Sequence, residues 1–170
     1  YPHGPSVATN GRRVFFLESV RSPGDTARAT SSSLSNIYLS WWNSSPPEPA
    51  SPRLVIDSTP VDDLPGESLL SSLGAVGDTL HLAWAAKTGT LWGVVYRRSP
   101  DQGEHWEAIA QLSSTPGDAW LPCLSSSGDT VAVVWEDHRG SHPRTCCRYS
   151  LDGGRNWGPE VSLSESPGDC

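Results

Sequence analysis

Ser99-Pro100-Asp101-Gln102-Gly103-Glu104-His105-Trp106 returns 51 residues later as Ser150-Leu151-Asp152-Gly153-Gly154-Arg155-Asn156-Trp157. Both stretches fit S-x-D-x-G-x-x-W, and the same offset extends well beyond them. Pro65-Gly66 meets Pro116-Gly117, Gly77-Asp78-Thr79 meets Gly128-Asp129-Thr130, and Trp84, Gly89 and Arg97 meet Trp135, Gly140 and Arg148. Leu112-Ser113 then meets Leu163-Ser164. Gly, Trp and Asp recurring in one frame mark an internal repeat, the feature that decides a fold when it is present.

Each unit reads as four short strands. In the last they fall near Leu121–Ser125, Thr130–Glu136, Arg144–Ser150 and Pro159–Leu163, divided by Ser-Gly-Asp, Asp-His-Arg-Gly and Asp-Gly-Gly-Arg-Asn turns. Val131, Val133 and Trp135 alternate with Ala132, Val134 and Glu136, the period of a strand with two unlike faces. The N-terminal third is a worn third copy. Pro5 and Gly11 match Pro122 and Gly128, Val14 and Phe16 replace Val131 and Val133, and a long Ser/Thr/Arg-rich excursion, expected to be a mobile loop, precedes Ile37-Tyr38-Leu39-Ser40-Trp41-Trp42. Leu54-Val55-Ile56 closes that unit.

A period near 50 residues built of four antiparallel strands implies an all-β propeller. The chain supplies three four-stranded antiparallel blades, about 1–64, 65–115 and 116–170, within one segment spanning 1–170. Blades bury their faces only against neighbours. We therefore expect either a longer chain or, more simply, a homo-oligomer in which two copies close a ring of about six blades. The start at Tyr1 and the lack of Met point to a processed chain or a piece of a longer one.

The two S-x-D-x-G-x-x-W stretches resemble the Asp-box, or bacterial neuraminidase repeat, of sialidase-like propellers. The resemblance covers the two later units; Asn43-Ser44-Ser45-Pro46-Pro47-Glu48 in the first lacks the Asp, Gly and Trp. In that family the box is structural, and its chemistry agrees: a short carboxylate accepts backbone N–H bonds across the turn, Gly permits positive φ, and Trp covers the hairpin. Ser99, Asp101, Gly103 and Trp106, with Ser150, Asp152, Gly154 and Trp157, are accordingly read as hairpin clasps. Two aspartates on equivalent turns of successive blades stand too far apart for acid–base work.

The resemblance also implies that a ligand would sit on the opposite face, that of the loops joining second to third strands and of the connections between blades. Arg21, Asp25 and Arg28 from the long excursion, Lys87, Asp118, Trp120, Glu136, Asp137, His138 and Arg139 fall there. Sialidase chemistry, as the family implies it, uses three arginines around the sugar carboxylate, an aspartate acid/base and a tyrosine–glutamate nucleophile. An Arg-Ile-Pro motif carries the first arginine, and no such tripeptide occurs here. No catalytic residue is assigned; Tyr38, Tyr96 and Tyr149 fall within strands and read as packing residues. The function expected is a non-catalytic scaffold or a glycan- or protein-binding module, the alternative being an exo-sialidase-type glycoside hydrolase completed by a second chain or further blades.

Twelve Lys and Arg against nineteen Asp and Glu give a net charge of −7, which disfavours nucleic acid as a partner. No apolar run is long enough for a helical membrane span. His138, His142 and Asp137 lie on a short polar loop and read as a solvated turn, so no metal and no cofactor is expected. Cys123, Cys146, Cys147 and Cys170 form neither a disulfide framework nor a zinc spacing and are expected to pack as small apolar side chains. Asn43-Ser44-Ser45 is a formal glycosylation sequon, and a secreted or cell-envelope location is expected over a cytoplasmic one.

Overall fold

The computed structural model describes residues 6–21, 35–43, 53–56, 68–88, 90–114 and 118–164. Twelve strands occupy them, and no helix does: β1 (Ser6–Thr9), β2 (Arg13–Arg21), β3 (Ser35–Asn43), β4 (Arg53–Ile56), β5 (Ser68–Val76), β6 (Thr79–Thr88), β7 (Leu91–Ser99), β8 (Ala110–Gln111), β9 (Ala119–Ser127), β10 (Thr130–Asp137), β11 (Arg144–Ser150) and β12 (Val161–Ser162). They form three four-stranded sheets, each antiparallel and each in chain order. The first residues of the long excursion, as far as Arg21, extend β2 against β3 and are strand, not loop, because the two strands stay paired to Arg21 and Ser35. Its part from 22 to 34 with Asp25 and Arg28, the box-like stretch after Asn43, and Cys170 lie outside the described residues.

Two differences from the sequence reading follow from hydrogen-bonding opportunity. Strands β9 and β10 run longer than the alternation suggested, because each is paired along most of its length. The outermost strand of the third sheet shrinks to Val161–Ser162, which pair only with Cys147 and Cys146. Pro159 has no N–H to extend it.

The sheets stack on alternating apolar faces. Phe15, Leu17, Ile37 and Leu39 of the first meet Leu73, Leu80, Leu82, Trp84 and Val95 of the second in one buried cluster. The opposite face of the second sheet, with Ala83, Val94 and Tyr96, meets Leu124, Val131, Val133, Trp135 and Cys146 of the third. Trp84 and Trp135, 1% and 2% exposed, occupy the same place in the two clusters; burying a side chain of this size stabilises by about 2–3 kcal/mol or more. A period-2 strand with both faces covered is thus apolar on both, which is why β6 is buried from Leu80 to Ala85.

Cysteine packing departs from expectation. Cys146 is buried in the second cluster, but Cys147 is half-buried and Cys123 exposed, all three as free thiols. Tyr149, expected to pack, is 45% exposed, whereas Tyr96 is buried.

Candidate functional site

Each box closes as a small hydrogen-bonded knot. Ser99 Oγ donates to Asp101 Oδ1 at 2.9 Å and accepts from Gly103 N at 2.8 Å, while Asp101 Oδ1 accepts from His105 N at 2.8 Å. In the second box Ser150 Oγ donates to Asp152 Oδ1 at 2.7 Å and accepts from Gly154 N at 2.9 Å; Asp152 accepts from Asn156 N at 2.9 Å and Asn156 Nδ2 at 2.6 Å. The backbone and side-chain bonds from His105 hold Asp101 at a pKa of about 2, and those from Asn156 depress Asp152 likewise. The bonds these carboxylates make run to their own turns.

The box residues also reach across to the preceding sheet. Gly103 and Gly154 have φ of 93° and 84°, and a Cβ there would stand 2.5 Å from Leu39 Cδ2 and 1.9 Å from Tyr96 Oη respectively. Trp106 packs on the cluster between first and second sheets, and Trp157 meets Tyr96 edge-on at 4.7 Å. The tryptophans therefore lock sheet to sheet, beyond covering their own hairpins.

The opposite edge gathers the ends of β6 and β10 and the starts of β7 and β9. There Trp92 and Trp120 lie with ring centroids 4.6 Å apart, and Lys87 Nζ is 5.6 Å from the Trp92 ring centroid. Trp92 is buried and Trp120 half-buried beside it. Asp118 ties the group: its carboxylate accepts from Trp92 N at 3.4 Å and its carbonyl from His138 N at 2.8 Å. His138 Nε2 lies 3.0 Å from Glu136 Oε2. Next to Trp120, Leu121 adopts φ 52° and the β9–β10 register shifts between Val134 and Glu136. Such local strain and bulging re-aims side chains and concentrates at functional edges.

Asp137 and Arg139 form a separate network on this edge. Arg139 donates from N and Nε to Asp137 at 2.9 and 2.6 Å and also pairs with Glu160, whose other oxygen accepts from Ser114 N at 2.7 Å. Burial pushes the Asp137 carboxyl up, but the Arg139 bonds outweigh it and leave it below the usual range; Glu160 follows the same pattern. Asp137 raises Arg139 in turn, and burial, then Asp137, raises the Cys146 thiol. Ligand atoms of Asp137, Cys146 and Glu160 lie within 4.8 Å of one another, with the guanidinium supplying their positive charge. His138 and His142 do not join Asp137; they contact Glu136 and Ser141.

Of the expected face, then, Lys87, Asp118, Trp120, Glu136 and His138 come together, and Asp137 and Arg139 stand beside them. Arg21 ends β2, paired with Ser35, in the first sheet. Trp92 and Glu160 were not singled out from the sequence, and Cys146 was read there only as a packing side chain. The repeat gave no sign of the first two, since 51 residues separate Trp92 from Pro143 and Glu160 from Ile109.

No family model matches the chain, and no curated protein matches it in sequence. Solved structures do resemble it. A Trypanosoma rangeli sialidase, in complex with 2,3-difluoro-KDN, superposes with a TM-score of 0.62 at 12% identity, over 91% of this chain and 29% of that one. An α-L-arabinofuranosidase from Fusarium graminearum superposes at 0.57 and 14% identity, over 98% of this chain and 52% of that one. Both are propeller glycoside hydrolases, and the likeness is one of fold. The chain spans 29% and 52% of their lengths.

Proposed function

We propose that the chain is a sialidase-like Asp-box propeller segment of three blades, about 1–64, 65–115 and 116–170, that binds glycan at the edge carrying Trp120 and catalyses no reaction there. The Trp92–Trp120 pair with Lys87 above it carries this reading. An indole face takes the apolar C–H face of a sugar ring, and Asp118, Glu136 and His138 beside it supply hydrogen-bonding groups for the rim of hydroxyls.

Two observations support binding over turnover. The sequence has no Arg-Ile-Pro, and Arg139, on the same edge, is held by both Asp137 and Glu160. A guanidinium satisfied by two carboxylates offers little to a substrate carboxylate. The hydrolase reading rests on the fold neighbours alone, and fold does not carry an activity with it.

A glycan array followed by calorimetry on the best ligand tests the proposal. Trp120→Ala should weaken binding about tenfold, the factor that ~1.4 kcal/mol represents. A fluorogenic sialoside should not be turned over. Turnover abolished by changing Arg21, Arg28 or Arg139 would establish the hydrolase instead.

A further inference from the structure

The two buried junctions of the chain follow one rule, position by position. Val7 opposes Phe16 in the first sheet, Leu73 opposes Leu82 in the second, and Leu124 opposes Val133 in the third. In this common register the forward face of each sheet carries Phe15, Leu17, Ile37 and Leu39; then His81, Ala83, Val94 and Tyr96; then Ala132, Val134, Thr145 and Cys147. The rearward face carries Val7, Val14 and Phe16; then Leu73, Leu80 and Leu82; then Leu124, Val131 and Val133. A serine pegs both junctions: Ser6 Oγ accepts from Leu73 N at 2.9 Å, and Ser72 Oγ accepts from Leu124 N at 3.0 Å.

One more step of the same rule pairs the two outer faces of the described residues. On the third sheet the peg position is Cys123, exposed, beside half-buried Ala132, Val134 and Cys147. On the first sheet Val7 is 66% exposed and Trp42, tilted against Phe16 with ring centroids 4.7 Å apart, is 39% exposed. Tyr149 apart, which pairs with Ala132 on this face and is 45% exposed, the small residues of one face complement the large ones of the other, as Ala83 already does with Leu and Trp inside the chain.

We propose that the forward face of the third sheet receives the first sheet of a second copy of this chain, and that two copies close one ring through two identical junctions. Head-to-tail contacts close when the rotation permits and otherwise propagate as filaments. Two copies bring together six such sheets, within the four to eight blades that closed propellers use.

The peg geometry sets the test. Cys123 of one copy should lie against Val7 of the other, within the ~7 Å between Cα atoms that a disulfide tolerates. Sedimentation of the full chain at tens of micromolar should give twice the 18.2 kDa chain mass. Val7→Cys, oxidised by dioxygen with copper phenanthroline as catalyst and electron acceptor for both thiols, should form a covalent dimer that Val7→Cys with Cys123→Ser does not. Val7→Asp, at a side chain exposed in the single copy, should keep the circular dichroism spectrum and raise the dimer dissociation constant at least tenfold. A monomer, an open-ended ladder of oligomers, or crosslinking independent of Cys123 would each overturn the proposal. The readout is mass and crosslink, so its failure leaves the glycan reading untouched.

Discussion

A methyl group at Gly154 would stand 1.9 Å from Tyr96 Oη, while one at Gly128 would meet nothing within 4 Å. Both glycines have positive φ, 84° and 55°, so alanine at either incurs the left-handed penalty of about 1–2 kcal/mol. Only Gly154→Ala must also displace a buried tyrosine. We predict that it costs about 2 kcal/mol more than Gly128→Ala in urea unfolding, the usual scale of overpacking; equal losses would show that Tyr96 yields freely. That some glycine stands at each turn is legible from the repeat. That one of them is a contact surface is not, because Tyr96 belongs to the preceding sheet, and at the matching place the first sheet uses Leu39 against Gly103.

The strands themselves were largely readable, since alternation and Gly-Asp turns are local properties: β10 and β11 fall at Thr130–Asp137 and Arg144–Ser150. Strand ends were less so, because they depend on how far a partner extends. The hairpins between third and fourth strands depend on their knots. Ser150, 1% exposed, both donates to Asp152 and accepts from Gly154 N. Ser150→Ala leaves that buried N–H unpaired and should cost about 1–3 kcal/mol. Amide exchange should quicken at Gly154 and Asn156 and stay unchanged at Gly103; unaltered protection at Gly154 would mean the knot does not depend on the hydroxyl.

At the scale of the whole molecule, the junctions share a plan but differ in chemistry. Where the first uses Phe15 and Leu39, the second places His81 Nδ1 2.7 Å from Tyr96 Oη. Burial, aided by Arg98, lowers His81 from 6.5 to about 4, and burial raises Tyr96. The unfolded chain therefore binds this proton more readily, so the stabilising contribution is complete above about pH 6.5 and is lost as pH falls toward 4. The loss should be on the order of 3 kcal/mol of unfolding free energy, measured by denaturant titration across that range. His81→Phe with Tyr96→Leu, copying the first junction, should flatten that part of the profile; an unchanged slope would place the titration elsewhere. The sequence by itself determined the repeat, the strand order and the turn chemistry, because periodicity and turn residues act over a few positions. Only the tertiary structure decided what meets across the sheets: Trp92 on Trp120, Arg139 between Asp137 and Glu160, and thiols and large apolar side chains left on the two outer faces. Those pairings join residues whose spacing carries no repeat signature, and they arise only when side chains compete for the same buried space.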